Sequence, residues 1–321
     1  MPASAVPLLD RRLLFVTGKG GVGKTTVASA LGVLAAQRGK RTLVCEFDAK
    51  GNLADFFGSD PTRFEPIEVQ PDLFAMSMDT EASLKEYLRL QIKVPLLAKI
   101  GPLARTLDFV ANAAPGVKEI LTVGKVAWEV KEGHYDLVIA DAAASGHVVA
   151  QISAPQAIGE LVKVGLVREQ TGWLSEILDD PATTGAVIVS APEEMPVSET
   201  LELAERIRTE TRVDLAAVAV NRVLPELFGR GEETVFEALA EPAARERLDA
   251  LVGRATGPLF DAARLAVTLR RTRAEHLDRL RHDLAADIPV LYLPELFSRS
   301  HGSRATHQVA EALAAELGLG G

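Results

Sequence analysis

Cysteine is almost missing from this sequence: Cys45 is the only one in 321 residues. A lone thiol excludes an intrachain disulfide framework and a cysteine-built zinc site. Aromatic residues make up only 5% of the chain while hydrophobic residues reach 47%, so the core has to be built from Leu, Val, Ile and Ala. Positive charge is not in excess. Thirty-five Lys and Arg stand against 44 Asp and Glu, a formal charge of −9, which argues against nucleic acid as a main partner. Arg270, Arg271, Arg273, Arg279 and Arg281 fall on one helical stretch, 258–285, and read as a solvated helix surface. Its apolar face carries Ala262, Ala266, Leu269, Leu277, Leu280 and Leu284. No apolar run approaches a membrane span, and "MPASAVPLLDRR" lacks the basic and apolar regions of a signal peptide. The expectation is a soluble, cytoplasmic protein with no integral membrane segment.

What the chain does have is a rhythm of short apolar runs: 12–18, 41–48, 72–78, 135–142, 185–192, 215–223 and 288–294. Most are nearly continuous rather than alternating, as a strand covered on both faces requires. Helical stretches such as 24–38 and 198–209 separate them. This alternation predicts an α/β fold, a doubly wound and mostly parallel sheet with helices on both faces. One domain over 1–321 is expected, interrupted by helical insertions at about 79–130 and 151–182 that form a helical subdomain at the strand ends.

The stretch Gly18-Lys19-Gly20-Gly21-Val22-Gly23-Lys24-Thr25-Thr26 fits the phosphate-binding pattern G-x-x-x-x-G-K-[ST]. It follows an apolar strand and opens a helix. Glycines let the backbone wrap a phosphate, and the N–H groups at the helix start supply donors and positive dipole. Lys24 is expected on the β- and γ-phosphates of a nucleoside triphosphate and Thr25 on Mg²⁺. Two more acids sit where carboxyl strand ends meet the ligand crevice. Asp141, in "LVIADAAASGH", suits the metal. Asp48, in "VCEFDAKGNL", suits the attacking water, with Glu46 a weaker rival.

"KGGVGKTT" resembles the deviant phosphate loop of the class that holds the septum-positioning and plasmid-partition ATPases, the nitrogenase iron protein, and the arsenite-pump and tail-anchored-protein-targeting ATPases. "DAKGNLADFF" (48–57) and "DAAASGH" (141–147) resemble the two switch segments of the last branch. "PGVKEIL" (115–121) and "PEEMPVSET" (192–200) are similar to two more of its motifs. Resemblance to that branch implies ATP or ADP as the nucleotide and an ATP hydrolase in which Lys19 reaches the partner subunit's nucleotide. It also implies that Asn221 and Pro294 line the adenine and that Gly146 senses the γ-phosphate. Ala49 and Ala144 replace the branch's switch prolines, which loosens both loops without removing a catalytic group.

Within the branch, arsenite binding is rejected, because a soft metalloid needs several thiolates. The paired-cysteine clamp of the eukaryotic targeting factors is also absent. Packing and nucleotide must therefore hold the implied homodimer, or heterodimer with a paralogue. A hydrophobic-helix client is a further possibility. Its groove would draw on Val94, Pro95, Leu96, Leu97, Ile100, Leu103, Leu107, Phe109 and Val110, although methionine, common in such grooves, is scarce. The competing readings are a nucleotide-gated binding module with little hydrolysis and a metabolic kinase or ligase of related fold.

Overall fold

Side chains alternate across the pleat of a strand, so a run that is apolar at every position must be covered on both faces. The computed structural model describes residues 6–48, 53–92, 117–161, 166–226, 228–253, 255–296 and 302–320. In it the seven expected runs become strands, and an eighth joins them. The strands are β1 (Leu13–Gly18), β2 (Thr42–Glu46), β3 (Ile67–Gln70), β4 (Leu73–Ser77), β5 (Leu137–Ala144), β6 (Thr184–Ser190), β7 (Asp214–Val223) and β8 (Val290–Pro294). They form one sheet in the order β3-β4-β2-β5-β1-β6-β7-β8. All pairings are parallel except β3 with β4.

Eleven α-helices occur among the described residues. They are α1 (Lys24–Gln37), α2 (Leu53–Phe57), α3 (Thr80–Ile92), α4 (Val117–Glu132), α5 (Ser145–Leu161), α6 (Leu166–Asp179), α7 (Glu194–Glu210), α8 (Arg230–Ala240), α9 (Pro242–Val252), α10 (Gly257–Asp283) and α11 (Ser303–Glu316). The alternation of β1 assigns them to faces. Leu13 and Phe15 look one way, into a core shared with Val126 and Val130 of α4, Val149 of α5, Leu174 of α6 and Ile207 of α7. Leu14 and Val16 look the other way, toward Leu31 of α1, Phe57 of α2 and Leu313 of α11. None of the described helices is long and apolar enough to cross a membrane.

The expected helical stretches resolve into particular elements. Residues 79–130 contain α3 and the greater part of α4, and residues 151–182 hold most of α5 and α6 on the crossover from β5 to β6. The apolar cluster from Val94 to Val110 lies outside the described residues. The 258–285 stretch is α10, but only part of its apolar face meets the core. Leu280 and Leu284 are buried, whereas Leu259, Leu265 and Leu269 are exposed. The first half of α10 stands away from the sheet beside α8 and α9. There a stack of Phe228, Phe236 and Phe260, with ring centroids 5.2 and 5.5 Å apart, supplies the packing.

Candidate nucleotide site

The glycine-rich loop joins β1, a central strand, to α1, so it lies at the carboxyl edge of the sheet, where open α/β folds bind ligands. Two of its glycines are fixed by their surroundings. A Cβ on Gly18, whose φ is +144°, would sit 2.1 Å from the Val189 carbonyl oxygen of β6. A Cβ on Gly23, φ +96°, would sit 2.3 Å from Asn221 Nδ2. Gly20 and Gly21 are different, because a Cβ at either would meet nothing within 4 Å. The front of the loop therefore faces open space while its base is clamped. Val22, between them, is buried in the α1-side core, and Thr26 is half-buried in the first turn of α1.

Thr25 and Asp141 meet at the base of the loop. Thr25 Oγ1 donates to Asp141 Oδ2 at 2.6 Å. Asp141 Oδ1 is buried without a hydrogen-bond partner, and the residue as a whole is 6% exposed. Burial pushes its carboxyl up to about 6. The Thr25 hydrogen bond and the Lys24 charge work against that rise, while Glu46 and Asp48 add to it. A buried acceptor left open at the start of a helix and beside a threonine hydroxyl suits a divalent cation or its water. Among the described residues no group of three or more His, Cys, Asp or Glu is placed to hold a metal by itself. Mg²⁺ keeps several waters and takes few protein ligands, so Thr25 Oγ1 and Asp141 are the groups that would hold it. The open space before Gly20 and Gly21 likewise fits a phosphate chain.

The two lysines have distinct surroundings. Lys24 Nζ donates to the Lys19 carbonyl at 3.4 Å, folded over its own loop. Lys19 Nζ is paired with Glu199 of α7 in the same chain. Asp48, just past β2, is exposed. Asn221, near the end of β7, is buried, and its Nδ2 donates to the Val22 carbonyl at 2.9 Å. Its Oδ1 accepts from the N–H of Arg222 at 3.0 Å, supporting a non-glycine residue at φ +62°. Pro294 ends β8, exposed and in register with Val223 of β7. Gly146 and His147 open α5 and are exposed.

Loop glycines, Lys24, Thr25, Asp141 and Asn221 are thus brought together. Pro294 lies two strands along the same edge from β6, and Lys19 is drawn aside by Glu199. Sequence reasoning missed one acid with a place here, Glu199, and named another, Glu46, only as a weaker rival to Asp48. Glu199 was visible only as part of "PEEMPVSET". Glu46 is in register with Asp141 across the β2–β5 pairing.

The family model for anion-transporting ATPases matches residues 11–172 and 163–237, more than half of the chain. The chain belongs to the anion-transporting ATPase family. Its relatives include an ATPase named BagA from Mycobacterium tuberculosis, 28% identical over 225 residues, which cover 67% of this chain and 66% of that one. A relative from Halobacterium salinarum named as an arsenical pump-driving ATPase is 30% identical over 307 residues, 88% of this chain and 45% of its own length. An ATPase named GET3 from Podospora anserina is 31% identical over 163 residues, 49% of this chain and 47% of that one. The chain therefore spans about two thirds of the mycobacterial family member and less than half of the other two.

Proposed function

We propose that this member of the anion-transporting ATPase family is a Mg²⁺-dependent ATP hydrolase that works as a dimer and switches a helical surface for a client or partner. The observation that carries the nucleotide reading is the pairing of Thr25 with Asp141 at the base of an open glycine loop, leaving one buried carboxylate oxygen unfilled. Family membership and the ATPase names of the relatives support hydrolysis as the reaction.

In this reading the loop N–H groups and the start of α1 bind the phosphates, and Lys24 swings from the Lys19 carbonyl to the β- and γ-phosphates. Thr25 and Asp141 hold the metal side, and the ion, when bound, neutralises charge on the phosphate oxygens. Asp48, exposed just beyond β2, accepts a hydrogen bond from the attacking water and orients it. Asn221 holds the loop from behind and presents its other face to the adenine, with Pro294 as a wall. Lys19 leaves Glu199 and reaches the partner subunit's phosphates, where its charge stabilises the transferring group.

Replacing the water-orienting acid tests this scheme. Asp48→Asn is expected to bind ATP but hydrolyse it far more slowly, accumulating a nucleotide-loaded dimer on sizing chromatography. Unimpaired hydrolysis in that variant would remove Asp48 from the mechanism.

A further inference from the structure

β2 carries a second acid at its carboxyl end that the scheme above leaves idle. Glu46 is 3% exposed. It is in register with Asp141 on one side of β2 and with Ser77 of β4 on the other. Registered residues of parallel neighbours project from the same face of the sheet, and neighbouring strands lie about 4.8 Å apart. Ser77, Glu46 and Asp141 therefore form a polar row on the α1 side, ending at the Thr25 hydroxyl.

The hydrogen bonds in this row have a direction. Ser77 Oγ donates to Glu46 Oε2 at 3.1 Å. Ser77 Oγ and Thr62 Oγ1 are also 2.5 Å apart. A serine hydroxyl has one hydrogen, and Ser77 gives its own to Glu46, so Thr62 must donate to Ser77. The relay runs from Thr62 through Ser77 to Glu46 Oε2. The backbone ties the same place down, because the N–H of Met78 donates to the Glu46 carbonyl at 2.8 Å.

Two buried carboxylates on adjacent strands repel. The Thr25 hydroxyl and the Lys24 charge offset part of this at Asp141 and Ser77 does so at Glu46, yet Asp141 Oδ1 stays buried without a hydrogen-bond partner. Mg²⁺ keeps several of its waters and takes few protein ligands, so a second acid beside Asp141 is placed to act through one of those waters.

We infer that Glu46 is a positioning residue of the metal site, its carboxylate accepting a hydrogen bond from a water bound to the ion that Thr25 and Asp141 hold. This rests on the Mg²⁺-nucleotide reading above and extends it to the opposite side of Asp141. The relay fixes the Glu46 carboxylate, and through it the bound water, so that the ion is held by more than its few direct ligands.

Mn²⁺ binding in the presence of ADP, followed by electron paramagnetic resonance, tests the assignment. Glu46→Gln keeps the shape and an acceptor for Ser77 but removes the charge. It is expected to weaken Mn²⁺ about tenfold while leaving ADP affinity in EDTA and the melting temperature close to wild type. An unchanged Mn²⁺ affinity in a folded Glu46→Gln overturns the inference. Absence of Mn²⁺ binding by the wild type would instead overturn the metal reading itself. Ser77→Ala is the second variant, and it decides the matter should Glu46→Gln fail to fold. It frees the carboxylate without removing it, so Mn²⁺ should weaken by about threefold, less than the tenfold loss of an outer-sphere partner. Wild-type Mn²⁺ affinity in Ser77→Ala overturns the positioning role.

Discussion

Asp141 carries a cost in stability that can be measured. Its folded pKa is raised from 3.8 to about 6, chiefly by burial. A carboxyl that holds its proton more tightly when folded loses stability as pH rises between those two values. Below 3.8 the penalty is absent, and above about 6 it is complete, at about 3 kcal/mol. Asp141→Asn keeps an acceptor for Thr25 and removes the charge. In EDTA the variant should melt higher than wild type at pH 8, and the gain should fade toward pH 4. A pH-independent difference between the two would show that burial of this charge is not the cost. The loop around it was legible in the sequence because its chemistry is local: glycines at fixed spacing, a lysine, a hydroxyl. The Gly18 requirement is not local, since it comes from the Val189 carbonyl of β6. Gly18→Ala should accordingly destabilise the protein by about 1–3 kcal/mol through forced displacement of β1 from β6, as read by chemical denaturation. Glu46 ranked only as a weaker rival to Asp48 for the same reason, because strand register decides which acid lies beside Asp141, and register is not written in either strand alone.

At the scale of elements, long or strongly apolar runs were read correctly and half-exposed ones were not. β3, "IEVQ", has four residues with none buried, and it lies antiparallel at the sheet edge. Its hydropathy gives no sign of a strand; pairing with β4 makes it one. Helices α8 and α9 also went unread, as α9 buries no residue and Val235, Leu239, Leu251 and Val252 remain exposed. The tie between α3 and α4 is likewise tertiary. Lys125 of α4 is buried and paired with Glu86 of α3 at 2.8 Å and Glu129 of α4 at 2.7 Å. Burial pulls its ammonium pKa down, but the hydrogen bonds and charges of Glu129 and Glu86 outweigh that and leave it raised. Glu129 is itself buried, and removing the lysine leaves it only His134 Nδ1, 2.7 Å from its Oε2, as a side-chain partner among those described. Lys125→Met should destabilise the protein by about 3–5 kcal/mol, more than Glu86→Gln, whose side chain is partly solvated. Equal, small losses in the two variants would mean that water already relieves Glu129.

At the scale of the whole molecule, the question is why one loop carries two lysines. Lys24 lies over its own loop, whereas Lys19 is paired with Glu199 on α7. Both members of that pair are partly exposed, so holding Lys19 in place contributes only about 0.2–1 kcal/mol. Such a tether positions the lysine without trapping it, which is what the proposed reach of Lys19 to a partner's site would need. A mixing experiment separates service within one chain from service across a dimer. Lys19→Ala retains its own Lys24 but has no lysine to lend. Lys24→Ala cannot use its own site but still carries Lys19. Each variant alone should be nearly inactive. Mixed in equal amounts, half of the dimers pair one of each, and in those the Lys19→Ala subunit receives Lys19 from its partner. About one quarter of wild-type turnover should return, because half of the dimers then hold one working site of two. Activity that stays at the level of the separate variants would place Lys19 in its own subunit's site, and the pair with Glu199 would then be its resting place rather than a point of departure.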